Sequence, residues 1–93
     1  MTTIRRLPSK IRLPFNFVIR VVLTSDREML DAMDEDDRSE LADGLWDVDS
    51  RTIYVRRSLG FKRKAEVLGH ELDHALNDWR HWVRDTLEQG RLP

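Results

Sequence analysis

An apolar series runs through the last third of the chain in helical phase: Leu68, Leu72, Ala75, Trp79, Trp82, Val83 and Thr86. Side chains three and four positions apart share one face of a helix, so the series predicts a long helix with a single buried stripe. Neither glycine nor proline interrupts the series between Leu68 and Thr86 apart from Gly69. One local signal competes. Asn77-Asp78 are residues that favour helix caps, and Asp78 is placed to start a new helix at Trp79. The sequence therefore supports two arrangements here, a continuous helix or two helices joined by a turn.

The same segment carries His70-Glu71-Leu72-Asp73-His74. Helical residues four apart lie about 40° apart around the axis and one turn along it, which lets both imidazoles face one ion. Glu71 is rotated about 100° from His70, beside the open position of such an ion, where a carboxylate takes a proton from water. His70 and His74 are thus candidate zinc ligands and Glu71 the candidate general base.

Catalytic zinc ordinarily has three protein ligands, so a third is required. In a continuous helix Asp78, one turn beyond His74, is the nearest acidic candidate, while His81 lies about 10 Å along the axis, too far to share the ion. Glu88 would stand about 21 Å from His74 along such a helix and reaches the ion only if the chain folds back at Asn77-Asp78. Asp78 also suits a supporting role, orienting a histidine from behind, and an upstream acid or the absence of a third ligand is the remaining alternative.

With 93 residues, positions 1–93 form one domain with a modest core and no room for a separate substrate-binding domain. No cysteine is present, so disulfides and thiolate ligands are excluded. Met1 to Lys10 hold no apolar run of signal-peptide length, and Arg20 breaks the nearest apolar stretch, so the expectation is a cytoplasmic protein with no membrane association.

A net charge of −1 conceals strong segregation. Arg5, Arg6, Lys10, Arg12 and Arg20 precede an acid-rich stretch from Asp26 to Asp43, and Arg51, Arg56, Arg57, Lys62, Arg63 and Lys64 follow it. Blocks of this kind point to complementary surfaces within the fold. A nucleic-acid surface is the lesser alternative. The acidic run does not fit a calcium loop, because neither the required glycine nor the distal glutamate falls in register.

Pro8 and Pro14 bracket an extended lead-in. Phe15, Phe17, Ile19, Val21 and Leu23 alternate as one face of a first strand. Ser25 or Asp26 is placed to cap a helix bearing Met29, Leu30 and Met33, which the run Asp34–Asp37 ends in an exposed loop. Leu45–Val48 and Thr52–Arg56 form a hairpin around Asp49-Ser50-Arg51, and Gly60 breaks the chain before the motif helix. The layout is α+β: a small twisted antiparallel or mixed sheet packed on the motif helix and a C-terminal helix.

Val67 to Asp78, together with the hairpin that begins at Gly44-Leu45-Trp46-Asp47, resembles the small zincin metallopeptidases of the gluzincin type, either the minigluzincins or the ImmA/IrrE family. Asp73 departs from the zincin signature, which usually has an uncharged residue there. The resemblance implies a zinc-dependent peptidase: His70, His74 and an acid hold Zn2+, Glu71 activates water, and a peptide or protein is the substrate. It nominates Glu88 as the acid, since gluzincins place a glutamate on a later helix and Glu88 is the one glutamate downstream of His74. It also assigns Thr52 to Arg57 the place of the edge strand that holds extended substrate in zincins. ImmA/IrrE relatives cleave repressors, usually beside a helix-turn-helix domain that has no counterpart in these residues. Two other classes stand beside this reading. One is a catalytically silent zincin-like module that binds metal and acts by interaction. The other is DNA binding through Arg5, Arg6, Lys10, Arg12 and the 56–64 cluster, with the salt dependence typical of phosphate contacts.

Overall fold

The computed structural model describes residues 6–32 and 42–91. In chain order the elements are β1 (Lys10–Leu13), β2 (Phe17–Thr24), α1 (Asp26–Ala32), β3 (Gly44–Asp47), β4 (Thr52–Arg56) and α2 (Phe61–Glu88). The strands form one mixed sheet in the order β1-β2-β4-β3. β1 and β2 are antiparallel, β2 and β4 parallel, and β4 and β3 antiparallel. The architecture is α+β.

Period-two patterning builds the core. Phe17, Ile19 and Val21 of β2 and Ile53 and Val55 of β4 are buried on one face, where Val67, Leu68 and Ala75 of α2 meet them. Burying each such side chain contributes on the order of 2 kcal/mol, which is what holds α2 flat on the sheet. Trp46, Leu72, Trp79 and Trp82 pack around this centre. α1 is closed by a capping box: Glu28 N donates to Ser25 Oγ at 3.2 Å, and Ser25 N donates to Glu28 Oε2 at 3.3 Å. Met29 of α1 is fully buried. Met33 and the acidic run Asp34–Asp37 lie outside the described residues.

Three expectations are corrected. The lead-in between the prolines is a strand, β1, paired with β2 from Lys10↔Arg20 to Leu13↔Phe17. Phe15 belongs to the turn between them, where it and Asn16 adopt φ values of 68° and 61°, and Phe15 is exposed rather than on the buried face. At the far end of β2, Leu23 is 38% exposed although its pairing with Val55 of β4 continues there.

The third correction concerns the long helix. α2 runs unbroken from Phe61 to Glu88, 28 residues and about 42 Å, straight through Asn77-Asp78. No turn forms, and there is no separate C-terminal helix among the described residues. An exposed Asn costs a helix only about 0.6 kcal/mol. The Asp78 carboxylate accepts a hydrogen bond from the Trp46 indole at 2.7 Å, so it is taken by the sheet rather than by a backbone cap. Beyond it, Trp79 Nε1 donates to the Pro14 carbonyl at 3.2 Å, and the Trp82 ring lies 5.3 Å from Phe17. These aromatic contacts anchor the second half of the helix to the β1–β2 hairpin. The Arg51 guanidinium covers the Phe17 ring at 4.0 Å and closes the same cluster. The helix ends at Gly90, whose φ of 66° lets Gly90 N reach Leu87 O and Arg91 N reach Thr86 O, both at 2.9 Å.

Candidate metal centre

His70 and His74 project from one exposed face of α2, one turn apart. Their Nε2 atoms stand 3.3 Å from each other, with the rings nearly perpendicular at 84°. Two nitrogens bound to one tetrahedral zinc at about 2.0–2.1 Å are separated by about 3.3–3.4 Å. The pair therefore already spans the chord that a single zinc ion requires. A neutral imidazole pair also sustains one N–H···N contact at this separation, so the geometry suits the metal-free chain as well.

Glu71 is half-buried and turned toward β3. It lines a cleft of about 400 Å³ with His70, Val67, Glu66, Arg63, Asp43 and Gly44. Gly44 is what allows the strand so close. A Cβ there would collide with Val67 Cγ1 and lie 3.1 Å from both Glu71 Cγ and the Tyr54 carbonyl. By sequence Gly44 marks only the opening of the hairpin; in the fold it is the point where the strand meets the candidate base.

Asp43, Arg63 and Glu66, which line the cleft, belong to a chain of ion pairs that runs on past it. Arg56 of β4 donates through Nε to Asp26 at 3.0 Å and through Nη1 to Asp43 at 2.9 Å. Arg63, in the first turns of α2, donates to the other Asp43 oxygen at 2.9 Å and to Glu66 at 3.2 Å. The hydrogen bond that Asp26 accepts from Arg56 is the main reason its carboxyl titrates below the ordinary value. The Arg56 and Arg63 guanidiniums are correspondingly held above theirs, chiefly by their hydrogen bonds to Asp26 and Asp43 respectively. Segregated charge blocks thus meet inside the fold. Arg56 and Arg63, two members of the basic 56–64 cluster, are engaged by carboxylates and do not form a free phosphate-binding row.

The acidic candidates fare differently from the histidines. Because α2 is continuous, Glu88 lies fourteen residues beyond His74, about 21 Å along the axis, and does not reach the His70/His74 pair within the chain. Asp78 is one turn from His74, but its Oδ2 is held by Trp46. Among the described residues, no three His, Asp or Glu side chains gather into a set able to hold a metal. The histidine pair and Glu71 are brought together; neither acid joins them.

The strand beside the helix also differs from expectation. Thr52–Arg56 is interior, paired on both sides by β2 and β3, so it presents no free edge. The edge strand next to the site is Gly44–Asp47. Alternation alone showed both strands, but the sheet order depends on the nonlocal parallel pairing of β2 with β4, which leaves no local trace. Trp46 was legible in principle: an indole on a half-buried strand needs an acceptor, and Asp78 supplies it.

No described helix is long and apolar enough to cross a membrane. Comparison with known proteins gives no matching family, no matching curated protein and no matching solved structure.

Proposed function

We propose that the chain is a zincin-like, zinc-dependent peptidase of the gluzincin type, acting on a peptide or protein substrate. The observation that carries this reading is the 3.3 Å separation of His70 Nε2 and His74 Nε2 on a helix whose intervening Glu71 lines the adjoining cleft. Zinc, when bound, supplies Lewis acidity that polarises a carbonyl and acidifies water. His70 and His74 donate their Nε2 lone pairs. Glu71 takes a proton from water at its carboxylate and passes it on to the leaving amine, as a general base turned general acid does. The free side of β3 gives an extended peptide main-chain partners, and main-chain pairing tolerates varied side chains.

The alternative is a metal-binding module without turnover. It is favoured by the lack of a third protein donor among the described residues. One experiment separates the two: zinc titration and cleavage of a mixed peptide library by wild type, Glu71→Gln and His74→Ala. The peptidase reading expects zinc bound by wild type and Glu71→Gln but not by His74→Ala, with cleavage by wild type alone. Zinc binding with no cleavage by any variant supports the silent module. No zinc binding by wild type rejects both.

A further inference from the structure

β3 touches α2 at two places, and they flank the histidine pair along the helix. Gly44 lies against Val67 and Glu71. Trp46, two residues on and on the same side of the strand, reaches Asp78 with its indole N–H at 2.7 Å. Glu71 and Asp78 are seven residues apart, so they lie within about 20° on one stripe of the helix and about 10.5 Å apart along it. Two strand residues cover only about 6.6 Å, and the length of the indole makes up the difference. The strand is thereby fixed at both ends of the segment that carries His70, Glu71 and His74.

We infer that Trp46 and Asp78 are a positioning pair: their hydrogen bond holds the edge strand in register with Glu71, and Asp78 serves the site through β3 rather than as a ligand. The bond is short, charge-assisted and half-buried, and it joins β3 to the helix that β3 packs against. Gly44 has no side chain to resist sliding, and the other polar tie between this stretch and α2 among the described residues, Arg63 to Asp43, lies one residue before β3 on the exposed surface, so the Trp46–Asp78 bond holds the far end of the strand. Loosening the pair frees β3 to move relative to the cleft while leaving the Nε2 pair, which is set within the helix itself, unchanged.

This inference rests on the reading of His70 and His74 as the metal site, and its test keeps the two apart. Trp46→Phe removes the N–H and keeps an aromatic ring. Asp78→Asn keeps an acceptor oxygen, whereas Asp78→Ala removes it. Amide hydrogen exchange at Leu45 to Asp47 and zinc affinity are measured on all three in the full chain. Where wild type cleaves a library peptide, KM and kcat on that peptide are measured as well. The expected result is exchange about tenfold faster or more in Trp46→Phe and Asp78→Ala, the loss of one hydrogen bond to a carboxylate. Asp78→Asn is expected to restore most of the protection, zinc affinity to stay within about threefold throughout, and KM to rise with little change in kcat. Unchanged exchange in Trp46→Phe overturns the inference. So does a zinc affinity that falls tenfold or more in Asp78→Asn, which would make Asp78 a ligand. Failure of wild type to bind zinc instead removes the metal-site reading, with the exchange result still deciding whether the pair fixes the strand.

Discussion

His70 Nε2 and His74 Nε2 face each other at 3.3 Å across one turn of α2. Both rings are exposed, so their placement is set by the helix backbone and not by burial in a core. On the proposed zinc reading, an ion would find these two nitrogens already in place. Replacing either histidine by alanine is expected to weaken zinc binding at least about a hundredfold, while the melting temperature of the metal-free protein stays nearly unchanged, as it does for surface substitutions. Calorimetric zinc titration beside thermal unfolding checks both halves. Equal zinc affinity in His70→Ala and wild type would place the metal elsewhere.

The second relationship is steric. Gly44 sits where any side chain would overlap Val67 and press on Glu71 and the Tyr54 carbonyl. Val67 is buried in the core and the carbonyl belongs to β4, so neither gives way easily. Gly44→Ala is expected to destabilise the fold by about 1–3 kcal/mol, the usual cost of overpacking. Urea unfolding measures it. A Gly44→Ala protein as stable as wild type would show that β3 stands farther from α2 than its contacts with Val67 and Glu71 indicate.

Much of this frame was legible in the sequence because its signals are local. The helical phase from Leu68 to Thr86, the two period-two runs of the hairpin and the spacing of His70, Glu71 and His74 each follow from residues within a few turns of one another. What escaped depends on long-range pairing. β1 has four residues between two prolines and gains its identity as a strand only from β2. The interior place of β4 follows from its parallel pairing with β2, about thirty residues away in sequence. At Asn77-Asp78 the two local signals conflicted, and a residue 32 positions upstream, Trp46, decided between them by taking the Asp78 carboxylate. Of the two acidic candidates, Glu88 depended on a turn that the helix does not make, and Asp78, the candidate of a continuous helix, is held by the same indole.

The ion-pair chain beside the cleft has a pH signature. Asp26 titrates below its ordinary value because Arg56 donates to its carboxylate, with Ser58 Oγ adding a second donor at 3.2 Å. A carboxyl whose folded value is depressed contributes stability that is present above its unfolded value, about 3.9, and is lost as pH falls through the folded value. The Asp26 carboxylate is exposed, so the effect is small and screened by salt. Asp26→Asn is expected to be less stable than wild type at pH 5–7, with the gap closing as the pH drops below about 4. Denaturant unfolding across that range, at low and high salt, reads it. A gap that widens in acid would show that Asp26 is not held charged by Arg56.

The continuity of α2 yields the sharpest test, because a turn at Asn77-Asp78 and a helix through it respond oppositely to one substitution. Asn77 is exposed and lies mid-helix, where alanine is the better helix former by about 0.6 kcal/mol. In a continuous helix Asn77→Ala therefore stabilises the protein by about that amount. In a turn, asparagine's tolerance of left-handed backbone would be lost and the same change would destabilise it. Glu88→Ala supplies the functional counterpart: about 21 Å from His74 along an unbroken helix, it is expected to leave zinc affinity within about twofold of wild type. Urea denaturation of Asn77→Ala and zinc titration of Glu88→Ala must agree. Destabilisation of the first together with lost affinity in the second would restore the folded-back chain and with it Glu88 as the third ligand.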